Sequence, residues 1–86
     1  MITAAQIRAA RGLVQWSQGQ LAEASGLSLP TIKRMEGPIG PGRSSAENVS
    51  AVRKALEGDG VVFIEENGGG PGVRLVKRTQ APKEST

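Results

Sequence analysis

At 86 residues, without cysteine or histidine, the chain is one small domain. It has no disulfide, no thiolate or imidazole metal ligand, and not the side chain best suited to proton transfer near neutral pH. Its net charge of +3 is unevenly placed, with seven basic and three acidic side chains in residues 1–56 against four and five in residues 57–86. Positive potential therefore sits with the N-terminal part, as expected of a surface that meets phosphates. Folding at this size buries only roughly 60% of the surface the unfolded chain exposes, so association between copies is a common remedy. The one pair of adjacent carboxylates, Glu65-Glu66, reads as strand-end charge, and no nucleophile–base pair can be assembled. Neither an enzyme nor a cofactor is expected.

In chain order, Thr3 with Gln6 forms a T-x-x-Q capping box that predicts a helix over 4–14, with Ile7, Ala10 and Val14 on one face. Ser17 with Gln20 repeats the device for a short helix through Ser25, and Gly26 stands where a left-handed residue would end it. Ser28 caps a third helix, with Pro30 in the first turn where a missing N–H is harmless. That helix runs through Ile32 and Met35 to Glu36, and Gly37-Pro38 stops it. A turn-rich loop, GPIGPGRS, precedes a third capping box, Ser44 with Glu47, predicting a fourth helix to Glu57 with Val49, Val52 and Leu56 inward. Beyond Gly58-Asp59-Gly60 the pattern changes. VVFIE at 61–65 and VRLV at 73–76 are strand candidates flanking the loose ENGGGPG loop, hence a hairpin. The glycines lack the following Gly-Lys-Ser/Thr of a phosphate-binding loop and serve as a connector. KRTQAPKEST has no apolar period and reads as a disordered tail. The expected organisation is a helical domain over 1–58, a hairpin over 59–76 and a tail over 77–86.

Two capped helices joined by Gly26-Leu27-Ser28 have the layout of a helix-turn-helix. Leu27 plugs the angle between them, and Leu21, Ala22, Ile32 and Met35 close their interface. The segment WSQGQLAEASGLSLPTIKRMEG resembles the lambda-repressor-like, Cro/C1-type (XRE) family, whose pattern it matches at Ser17, Gln18, Leu21, Ala22, Gly26, Leu27, Ser28, Thr31, Ile32 and Glu36. The resemblance spans residues 3–57. It departs after Glu36, where Gly37-Pro38 replaces the usual x-Gly, and strand candidates stand in place of a fifth helix. The implied fold is a mainly α, four-helix lambda-repressor-like helix-turn-helix domain followed by a short C-terminal β-hairpin.

The resemblance implies a cytoplasmic, nucleoid-associated protein whose third helix enters the major groove of double-stranded DNA. No apolar run nears the roughly 20 residues of a membrane span, and MITAAQIRAARG lacks a signal-peptide core. The expected base-contacting residues are Leu29, Pro30, Thr31, Lys33 and Arg34, with Arg34 the best placed to bridge guanine O6 and N7. Leu29 and Pro30 donate no side-chain hydrogen bond, so a thymine methyl or DNA shape is their expected target. Ser17, Gln18, Ser28 and Arg43 are the expected phosphate contacts, the serines through the N–H groups of the helices they cap. Glu36 reads as a structural partner, Trp16 as a core-edge residue, and Arg8 and Arg11 take no assignment.

VVFIE is apolar on both faces, and a lone hairpin is marginal in water. One face can pack on the first and fourth helices. A symmetry mate is the economical cover for the rest, which predicts a homodimer with Val61, Phe63, Ile64, Val73 and Leu75 at its interface. The leading functional expectation is a transcriptional regulator, a repressor, holding a palindromic operator as a dimer. The competing one is an antitoxin or antiactivator that acts mainly through a protein partner.

Overall fold

The protein, seen in a computed structural model, is described over residues 1–66 and 68–76; the expected tail, 77–86, lies outside the described residues. Helix α1 (Ala4–Val14) opens on a complete capping box: Thr3 Oγ1 accepts from Gln6 N at 3.1 Å, and Gln6 Oε1 accepts from Thr3 N at 2.8 Å. Helix α2 (Gln18–Ser25) repeats it with Ser17 and Gln20 at 3.0 and 2.7 Å. At its end Gly26 has φ 78°, and Leu27 N donates back to Ala22 O at 3.1 Å. The turn needs that left-handed residue, and Leu27 packs against the core as it leaves. Helix α3 (Leu29–Met35) follows, capped by Ser28, whose Oγ accepts from Thr31 N at 3.2 Å.

The connecting loop is more ordered than its composition suggests. Pro41–Arg43 forms a single 3-10 turn with Pro41 buried, and this turn packs against α3. It also shifts the start of helix α4 (Ala46–Glu57). Ser44, the expected cap, closes the 3-10 turn by donating its N–H to Pro41 O at 3.0 Å. Ser45 caps the helix instead, accepting from Asn48 N at 3.1 Å. Either serine is chemically competent; the turn decides between them.

Strands β1 (Val61–Ile64) and β2 (Gly72–Leu75) form an antiparallel pair with Val61 opposite Leu75 and Phe63 opposite Val73. The architecture is mainly helical with a C-terminal hairpin. α4 packs against α1 and α2, α3 rests on α2, and the hairpin packs on α1 and α4. Its alternation fixes which face turns inward. Val61 and Phe63 join Ile2, Ile7, Ala10, Val14, Leu21, Ala22, Ile32, Met35, Val52 and Leu56 in one buried core, with Val73 and Leu75 packed against it. Gln6 pins the far end of the hairpin, its Nε2 donating to Gly72 O at 2.9 Å and Ile64 O at 3.1 Å.

This packing corrects the expected dimer surface. Val61 and Phe63 are 2% and 6% exposed, so neither is available to a partner. Val73 and Leu75 share their inward face and are only partly exposed. Ile64 alone of the five belongs to the outward face, beside Val62 and its cross-strand partner Arg74. The chain's own α1 and α4 cover the Val61 and Phe63 face of β1, as expected of one face, while Val62, 41% exposed, lies with Ile64 on the other.

Candidate nucleic-acid interface

The site is built on how α3 is held. Glu36, at the C-terminal end of α3, is 5% exposed and accepts from two other helices. Arg11 of α1 forks onto it, Nε to Oε2 at 2.8 Å and Nη2 to Oε1 at 2.9 Å. Gln18 Nε2 of α2 donates to Glu36 Oε1 at 3.0 Å. Arg11 also donates to Trp16 O at 3.0 Å, and Arg8 donates to the backbone carbonyl of Glu36. Two cations therefore sit at the C-terminus of α3, where the helix dipole favours them. The hydrogen bonds of Glu36, together with its charge, hold the Arg11 guanidinium above its ordinary value, against the opposing effect of burial. Bidentate geometry makes this a directional clamp that fixes the orientation of α3 on α1 and α2.

The clamp gives two residues a role within the fold. Gln18, an expected phosphate contact, is half-buried and gives one amide N–H to Glu36. Arg11, given no role by the sequence, carries the clamp. One sequence signal could have found it: Arg11 lies four residues after the core residue Ile7, at the rim of the apolar stripe, where a charge needs a partner.

With its inner face fixed, α3 turns four side chains outward. Ile32 and Met35 are buried, and Thr31 is half-buried at the margin. Leu29, Pro30, Lys33 and Arg34 are exposed, and i,i+4 spacing sets them in two rows, Leu29 with Lys33 and Pro30 with Arg34. The side chains of Lys33 and Arg34 make no hydrogen bond or ion pair among the described residues, and neither does that of Arg43, exposed at the end of the 3-10 turn beside α3. Thr31 differs. Its Oγ1 lies 2.9 Å from Ser28 Oγ and the two hydroxyls are bonded to one another.

The backbone donors at the helix starts are fewer than the sequence suggests. Ser17 and Ser28 each engage the third N–H of the helix they cap. In α3 Pro30 contributes none, so Leu29 N is the remaining first-turn donor; in α2 the N–H groups of Gln18 and Gly19 remain. Among the described residues no helix is long and apolar enough to cross a membrane, and no group of carboxylates could hold a metal ion. Comparison with protein families and with curated proteins finds no match to this chain.

Proposed function

We propose that the protein is a sequence-specific DNA-binding regulator of the lambda-repressor-like helix-turn-helix kind, a repressor that binds a palindromic operator as a homodimer. One observation carries the reading: a rigidly clamped second helix of a helix-turn-helix presents Lys33 and Arg34 with no protein partner, flanked by the equally unpaired Arg43. Cations with no protein partner, on a helix tied through Glu36 to both α1 and α2, are suited to phosphates and guanine edges. Leu29 N and the free N–H groups of α2 add neutral contacts to the backbone.

The dimer follows from scale. A seven-residue helix spans about 10 Å, roughly three base pairs. One such helix specifies too little sequence for a unique operator, whereas two related by a two-fold axis read half-sites about one DNA turn apart.

The test is selection of bound duplexes from a random pool, with the wild type and with Lys33→Ala. The wild type enriches an inverted repeat. Lys33→Ala binds the selected repeat more weakly and lowers the salt dependence by about one released counterion. Failure of the wild type to enrich any motif would overturn the reading.

A further inference from the structure

We infer that two copies of the chain associate through the outward face of α4, with Glu47 of each copy meeting Lys54 of the other across a two-fold axis that passes between Ser50 and Ala51. The inference rests on the dimeric part of the reading above and names the surface that makes the dimer. Helix α4 turns Val52 and Leu56 into the core. Glu47, Ser50, Ala51 and Lys54 recur at i, i+3, i+4 and i+7, so they share one stripe of the helix away from that core. With Ala46 they line a single shallow depression. Both charged ends are exposed, and the side chains of Glu47 and Lys54 form no ion pair among the described residues. They cannot pair with each other, since seven residues separate them by about 10 Å along the axis.

An antiparallel copy of this stripe is its own complement. Rotation about the midpoint exchanges position 47 with 54 and 50 with 51, so each carboxylate faces an ammonium. A parallel pair would instead set Glu47 against Glu47 and Lys54 against Lys54, and the pattern therefore selects the antiparallel, isologous form. Ser50 and Ala51 are short, which lets two α4 axes approach to about 8 Å, within reach of the longer side chains at the ends. Exposed ion pairs contribute little affinity by themselves and act here to fix register. Apolar contact comes from Ala46 and Ala51 and from the adjoining hollow, which Ala46 and Ser50 share with Met1, Ile2 and Val49. Glu47 in the first turn and Lys54 in the last also suit the dipole of α4. The dipole, however, asks for neither a shared face nor small residues between the charges. No residue of α3 takes part, so Lys33 and Arg34 stay open in the dimer.

Charge reversal tests the interface by sedimentation equilibrium of the full chain at low salt. Glu47→Lys and Lys54→Glu each leave like charges at both ends of the interface, and each should weaken self-association about ten-fold or more. Mixed in equal amounts, the two variants carry complementary stripes and should form a heterodimer of near wild-type affinity. A charge that serves only the helix dipole would lower the thermal midpoint and give no association on mixing. Because the chain has no cysteine, Ala51→Cys supplies a single thiol beside the axis in the native charge background. Mild oxidation should link it into dimers far faster than the same change at the exposed Glu23 of α2. Wild-type dimers undisturbed by either reversal, or variants that dissociate and fail to pair when mixed, overturn the assignment to α4. A wild type that stays monomeric at high micromolar concentration overturns it as well. Sedimentation involves no DNA, so this assignment and the DNA-binding reading can fail separately.

Discussion

Two sets of cations differ in what the fold has done with them. Arg8 and Arg11 point from α1 toward Glu36 and are engaged there with a backbone carbonyl and a carboxylate. Lys33 and Arg34 leave α3 on the opposite side with nothing to meet among the described residues. Composition cannot tell the two sets apart. A single buried carboxylate 25 residues downstream of Arg11 does so, turning one cation into a fold element and leaving Lys33 and Arg34 outside the clamp. Mutations in the first set should move stability, and mutations in the second should move affinity.

The largest stability effect is expected from Arg11→Met, which strands a nearly buried Glu36 carboxylate with Gln18 as its remaining side-chain partner. Breaking such a pair from one side costs about 3 kcal/mol, and replacing both partners by apolar residues recovers most of it. Denaturant midpoints of Arg11→Met and of Arg11→Met/Glu36→Met measure this. An equal loss in both variants would deny the clamp its charge-specific role.

Gln6→Ala removes both bonds to the hairpin and the reciprocal half of the α1 cap. About 1–2 kcal/mol is expected, at the scale of lost partly buried hydrogen bonds. Amide exchange should accelerate first at the Ile64 and Gly72 end. Exchange unchanged there would mean that Val61 and Phe63 anchor the hairpin alone.

The smallest effect should be a gain. Gln15 ends α1 at φ 61°, a left-handed conformation that glycine adopts without strain. Gln15→Gly is expected to raise stability by about 0.5–1 kcal/mol without altering DNA affinity, as read by thermal midpoint and titration.

What the sequence made legible was local. The capping boxes at Thr3 and Ser17, the cap at Ser28 and the exit at Gly26 depend on residues within a few positions of one another, and the structure has each of them. The outward position of Leu29, Pro30, Lys33 and Arg34 followed from helical spacing around Ile32 and Met35. The differences arise where contacts outside the motif itself decide. Ser44 and Ser45 are equivalent as caps until a 3-10 turn engages the first. Likewise, β1 is apolar on both faces, and only the placement of α1 and α4 shows that Val61 and Phe63 are covered from within. Strand β2 begins one residue earlier than its β-branched residues suggest, because Gly72 pairs with Ile64. The bond from Gln18 to Glu36 is likewise invisible locally, because its partner lies 18 residues away.

The central claim is that the outward face of α3 binds DNA without contributing to the fold. Titration of the selected duplex with Arg34→Ala, alongside the thermal midpoint of the same variant, tests it most directly. The account predicts a loss of about ten- to one-hundred-fold in affinity, with stability unchanged to within about 0.5 kcal/mol. Full affinity in the variant, or a loss matched by a comparable drop in stability, would contradict it.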